Sequence, residues 1–126
     1  MPYARYVRQR ILIPLGMTVT TLEARSVPAS RLAHGYRRQD DRWLEEEQLP
    51  DGSFGSMGGM LTSVADLSRW VGFMLDAWPA RDGDEGRVLS RASRREMQQV
   101  WRFNGATAVK DAAGTPVLSA GGYGYG

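Results

Sequence analysis

From Ser63 to Pro79 the chain carries its most regular pattern. Apolar residues stand at Val64, Leu67, Val71, Met74, Leu75 and Trp78. Steps of three, four, three, one and three positions line up one face of an α-helix. Ser63 stands where an N-cap accepts a hydrogen bond from a first-turn N–H. Asp66, three residues on, completes a variant of the capping box near the positive end of the helix dipole. Pro79 ends the pattern, because it cannot continue a helix. The spacing predicts a helix over 64–78, a rod of about 22 Å. A stripe of that length has to be covered, and the remaining segments must be read for what can cover it.

Upstream, Tyr3, Tyr6, Val7 and Ile11 fall at helical spacing and predict a first helix from residue 2 to about 12, with Pro2 in its first turn. Arg5, Arg8 and Arg10 lie largely off that stripe. Pro14 disfavours helical geometry at Ile13, so Pro14-Leu15-Gly16-Met17 reads as a turn with buried side chains. No Ser, Thr, Asp or Asn caps this helix; Met1 stands there, and the natural chain is expected to begin earlier. Residues 18–59 read as mostly irregular, with the Asp51-Gly52 turn signal and the acidic run Glu45-Glu46-Glu47. Short strands near 32–36 and 42–44 fit a small hairpin. So long a connection suggests a functional loop, or a piece of a larger protein whose other parts supply the packing.

Downstream, Ser90 is a plausible cap for a third helix from 91 to about 101, after a charged loop over 80–87. Residues 115–119 suit a short strand. Gly121 to Gly126 alternate glycine with tyrosine, and the chain stops inside that pattern, a second reason to expect a longer parent.

Composition narrows the function classes. The 126 residues allow one small domain, and 42% hydrophobic with 24% charged content is ordinary for a globular chain. No apolar run approaches the roughly 20 residues of a membrane-spanning helix, and no signal peptide is visible in these residues. The absence of cysteine excludes disulfides, thiolate nucleophiles and iron–sulfur or zinc-finger sites. Net charge is +2 with a pI near 9.3. The arginines are spread between acids from Arg5 to Arg102, a solvated mixed-charge surface rather than the basic face of a nucleic-acid binder.

No catalytic constellation emerges from spacing. Gly-x-Ser-x-Gly is absent, and so is Ser-x-x-Lys; the nearest match is Thr107-Ala108-Val109-Lys110. His34 is the sole histidine, too few for a histidine metal site, and reads as a loop residue packed beside Gly35 and Tyr36. Asp40, Asp41, Glu45, Glu46 and Glu47 lack the alternation and bend glycine of a calcium loop and read as solvated charge. Gly52, Gly55, Gly58 and Gly59 run into the capped helix but match no phosphate-binding loop; close backbone approach is the simpler account. Trp43, Trp70, Trp78 and Trp101 read as core or interface residues. No cofactor and no metal is called for.

Taken in order, several segments resemble one family. Tyr3-x-x-Tyr6-Val7-x-x-x-Ile11-x-x-Pro14-Leu15-Gly16-Met17, Leu32-Ala33-His34-Gly35-Tyr36, the run from Gly58-Gly59 through Thr62-Ser63-Val64-Ala65-Asp66-Leu67 to Trp70, Val88-Leu89-Ser90 with Met97, and Tyr123-Gly124-Tyr125-Gly126 are similar to serine β-lactamase-related hydrolases. These include class C β-lactamases, D-Ala-D-Ala peptidases and related esterases. The resemblance implies an α+β chain, mainly the helical lobe of a β-lactamase/transpeptidase-like fold plus the start of a sheet strand. It makes residues 1–126 a single partial domain from the middle of the enzyme. In that family a serine attacks an amide or ester carbonyl to form an acyl-enzyme. The lysine of Ser-x-x-Lys and the tyrosine of Tyr-x-Asn manage protons, and a Lys-Thr-Gly or His-Thr-Gly strand binds substrate.

None of those three motifs occurs here, so no catalytic residue carries over. By the resemblance two lie upstream and one downstream. Residues 54–60 correspond to a loop bordering the active site. Met57, Gly58 and Gly59 are thereby candidates for the cleft wall; some relatives have an aromatic residue where this chain has Gly58. The implied partners are a small-molecule amide or ester and the missing parts of the same fold, with no nucleic acid and no membrane segment in this chain. A different class of reading stays open: a non-enzymatic helical module that binds a protein or nucleic acid through its tryptophans and arginines.

Overall fold

A computed structural model describes residues 1–48, 52–86 and 88–125; Asp51 of the predicted turn, Arg87 of the charged loop and Gly126 of the terminal pattern lie outside the described residues. Three α-helices, α1 (Tyr3–Val7), α2 (Val64–Leu75) and α3 (Arg91–Met97), are interspersed with four strands, β1 (Tyr36–Gln39), β2 (Arg42–Glu45), β3 (Arg102–Lys110) and β4 (Pro116–Tyr123). The strands form two separate antiparallel pairs, β1–β2 and β3–β4. The fold class is α+β, as expected. The chain divides into two compact units, residues 1–72 and 73–126.

In the first unit, Pro2 sits just before α1, in extended conformation, and its carbonyl accepts the Tyr6 N–H at 3.0 Å. The helix continues as a π-turn over Arg8–Leu12. That turn holds one residue more than an α-turn, so the inward side passes from Val7 to Leu12. Both are buried with Met17 and Leu22, and Ala4, Leu15 and Trp70 pack against them. This corrects the expected stripe: Tyr3 and Tyr6 are exposed. Pro14-Leu15-Gly16-Met17 turns the chain as predicted, with Met17 N–H donating to Leu12 O at 2.9 Å.

The predicted hairpin forms slightly later, at β1 and β2. Asp40 and Asp41 make its two-residue turn, with φ of 49° and 59°. Left-handed geometry at both central positions matches the twist of the flanking strands, and aspartate tolerates it better than most residues.

α2 begins where the cap predicts: Asp66 N–H donates to Ser63 Oγ at 3.1 Å. The α-helix ends at Leu75, short of residue 78, because the last turn tightens. Ala77 N–H bonds Met74 O and Trp78 N–H bonds Leu75 O, both across three residues. The apolar stripe is real but unburied. Val64 is 86% exposed, and Leu67, Val71 and Leu75 are exposed as well.

In the second unit, Ser90 caps α3, its Oγ accepting the Ser93 N–H at 3.0 Å. The helix stops at Met97 rather than 101, since Trp101 N–H is drawn into the hairpin and donates to Tyr123 O at 2.9 Å. β3 was not foreseen. Its small residues Gly105, Ala106 and Ala108 carry little strand preference of their own, and pairing with β4 in register from Lys110↔Pro116 to Arg102↔Tyr123 makes the strand. The strand expected at 115–119 lengthens to Tyr123 for the same reason.

Candidate functional site

The best-ordered polar group of the first unit is Asp66. Its side chain is nearly fully buried. Oδ2 accepts the Val19 N–H at 3.0 Å and the Thr20 hydroxyl at 2.8 Å, and Oδ1 accepts from Arg69 at 2.9 Å. Burial by itself pushes the carboxyl pKa up. The Thr20 hydroxyl, the Val19 and Thr20 backbone N–H groups and the Arg69 charge more than offset this and hold it below its ordinary value. Thr20 Oγ1 also lies 2.8 Å from Thr62 Oγ1. Beside it, Thr21 and Leu61 exchange two backbone hydrogen bonds of 2.9 Å. The start of α2 is thereby fixed to residues 19–21. The capping box was read from sequence, but its carboxylate turns to Thr20 rather than back to its own helix. The run of hydroxyl residues at Thr18, Thr20 and Thr21 was the available signal.

This clamp sets the end of the loop holding the cleft-wall candidates. A short 3-10 turn over Ser53–Ser56 precedes them. Met57 is 74% exposed and Gly59 half-buried. A Cβ built on Gly58 would meet nothing within 4 Å, and the same holds at Gly52. The close approach expected of these glycines is therefore absent there. The loop touches two concavities. Met60, next after Gly59, joins Tyr3, Val7, Met17, Leu67 and Trp70 around an apolar cavity of about 280 Å³. Gly52 and Gly55 line another of about 500 Å³ with Tyr3, Leu22, Glu23 and Arg25.

The remaining sequence candidates stand apart from this loop's chemistry. His34 Nδ1 pairs with Glu45 Oε1 on the outside of the β1–β2 hairpin, so its neighbour of consequence is a carboxylate. Arg37 meets Glu46 at 2.9 Å and Arg38 meets Asp41 at 2.6 Å. Exposed pairs of this kind contribute about 1 kcal/mol at most. Thr107 and Lys110 lie on β3, and an odd spacing puts them on opposite faces of the strand. That separation removes the helical geometry in which the lysine would activate the hydroxyl. Trp43, Trp78 and Trp101 are exposed, and of the four tryptophans Trp70 alone packs against the described core. Among the described residues no group of three His, Asp or Glu is placed to hold a metal ion.

Within the second unit the arginines depart from a purely solvated surface. Arg94 is 1% exposed; it donates to Phe73 O, reaches Asp76 Oδ2 at 3.2 Å and lies 4.3 Å over the Phe73 ring. Arg81 also pairs with Asp76, and Arg91 Nε stands 3.5 Å from it. Burial pushes the Asp76 carboxyl up, and the bond from Arg94 with the charges of Arg81 and Arg91 brings it below its ordinary value. The cluster ties α3 to the segment after Phe73. Because Asp76 lies off the apolar stripe, periodicity gave no hint of it.

Comparison with known proteins bears on these features. A family model described as Beta-lactamase matches residues 1–126. Among solved structures the chain is similar to an octameric penicillin-binding protein homologue from Pyrococcus abyssi, with 22% sequence identity and a TM-score of 0.67. The likeness covers 99% of this chain and 24% of that one. At this identity it speaks for the fold. No curated protein matches the chain.

Proposed function

The chain belongs to the Beta-lactamase family, and on that premise we propose that it is one part of a β-lactamase-type serine hydrolase, inactive alone. The parent reaction is acyl-enzyme hydrolysis of an amide or ester: a β-lactam, a D-Ala-D-Ala peptide or a simple ester. The observation that carries the reading is a family match over all 126 residues that hold no Ser-x-x-Lys, Tyr-x-Asn or Lys/His-Thr-Gly. Nucleophile, proton carrier and substrate-binding strand must then come from other segments. The uncovered stripe of α2 supports the same reading, because Val64, Leu67, Val71 and Leu75 form the apolar face that such segments would bury. Met57, Gly58 and Gly59 are the proposed contribution to the cleft wall. Their loop is anchored by the Thr21–Leu61 pairing and the Asp66 clamp and leaves Met57 and Gly58 open to a ligand.

The test uses nitrocefin and a p-nitrophenyl ester. The 126-residue chain is expected to give no turnover above buffer. Co-expression with a polypeptide carrying the three motifs is expected to give turnover. Hydrolysis by the chain alone, abolished by a serine-directed phosphonate, would overturn the proposal.

A further inference from the structure

We propose that the outer edge of β4 pairs with β4 of a second copy of this chain. Among the described residues β4 bonds a strand on one side only, and all eight of its residues are exposed. The ladder fixes which backbone groups are free. Asp111 N–H donates to Thr115 O at the hairpin turn, and the register continues Lys110↔Pro116, Val109↔Val117, Ala108↔Leu118, Thr107↔Ser119 and Ala106↔Ala120. Antiparallel pairs alternate between bonding each other and pointing their groups away. Counting from Asp111–Thr115, the N–H and C=O of Leu118 and Ala120 point outward. Pro116 falls at an outward position too, where its missing N–H costs the ladder nothing.

Charge selects this edge and this occupant. No charged residue follows Asp111 in the sequence, so β4 lacks the charges that normally block edge pairing. β1 and β2 are four residues each and carry Arg37, Arg38, Arg42 and Glu45. β3 is long enough, but antiparallel self-pairing about Ala106 would set Arg102 against the partner's Lys110, a repulsive opposition. Self-pairing of β4 about Ser119 has no such conflict. It places Leu118 opposite the partner's Ala120, with each outward N–H facing an outward C=O. The result is a four-stranded sheet whose remaining edges are the charged β3 strands, so association closes at the dimer.

Sedimentation of the 126-residue chain from about 10 µM to about 500 µM tests this, a range suited to an interface smaller than the standard size. A monomer–dimer equilibrium is expected, with amide exchange at Leu118 and Ala120 slowing as concentration rises. Ala120→Pro removes an outward N–H, and Ser119→Lys opposes two lysines at the two-fold axis. Each should weaken the dimer about tenfold or more. Ala106→Pro, the same change on the β3 edge, should leave it intact. A chain that stays monomeric throughout, exchange at Leu118 and Ala120 that ignores concentration, or a dimer broken by Ala106→Pro but not by Ala120→Pro would overturn the proposal. None of these readouts depends on the parent reaction.

Discussion

Asp66 gathers the Val19 N–H, the Thr20 hydroxyl and Arg69 around one buried carboxylate, so its ionisation is coupled to folding. Its folded pKa lies below the ordinary 3.8. Such a group contributes stability that is fully present above the unfolded value and lost as pH falls through the folded one. The melting temperature of the chain is expected to drop on acidification below about pH 4, and Asp66→Asn should flatten that drop while leaving the share of Asp76, whose pKa is lowered in the same direction. An unchanged acid limb in Asp66→Asn, followed by circular dichroism, would show that the clamp does not hold the fold. Two glycines are tested differently. A Cβ on Gly122 would run into Val100 Cγ1 and lie 2.7 Å from Arg102 O; one on Gly124 would run into Met97 O and lie 3.0 Å from Gln99 O. Backbone cannot yield as a flexible side chain can. Gly122→Ala and Gly124→Ala should each destabilise the second unit by about 1–3 kcal/mol, seen as faster amide exchange along β3 and β4.

At the level of elements, α2 combines a satisfied beginning with an unsatisfied face. Ser63→Ala removes the acceptor of the Asp66 N–H and should cost about 1 kcal/mol in thermal unfolding of the chain. Val71 stands on the exposed stripe. Val71→Ser should change the stability of the isolated chain by no more than about 0.5 kcal/mol. The same substitution should sharply reduce the hydrolysis recovered by co-expression with the motif-bearing segments. A large loss of stability in the chain alone would mean that the stripe is already covered. The hairpins make the complementary point. Two-stranded ribbons are marginal by themselves, and β3–β4 is held at its open end by the Trp101–Tyr123 hydrogen bond and the stacking of Trp101 on Tyr125, ring centroids 5.7 Å apart.

For the molecule as a whole the salient property is apolar surface. Tyr3, Tyr6, Trp43, Trp78, Trp101, Phe103 and Tyr123 are all at least half exposed, and such extensive exposure marks surfaces that bind or aggregate. The chain is expected to bind a hydrophobic dye such as ANS strongly when folded, and to lose most of that binding when the motif-bearing segments are supplied. Dye binding that is weak from the start, or unchanged by the added segments, would contradict a chain whose apolar faces await a further part of the same fold.

Much of this was legible in the residues. The capped, proline-stopped pattern at 63–79 specified α2. Ser90 specified the start of α3, and Pro14 with Gly16 specified the first turn, since caps and φ restrictions act over a few neighbours. The ordered run of weak motifs indicated the Beta-lactamase family and an α+β fold. Only the tertiary structure decided what depends on distant partners. The π-turn that shifts burial from the tyrosines to Leu12 follows from packing with Met17 and Leu22. β3 exists because β4 pairs with it. Asp66 and Asp76 become anchors through residues 47 positions upstream and 18 positions downstream. Periodicity reports which face is apolar, but whether that face is covered is a property of what lies against it.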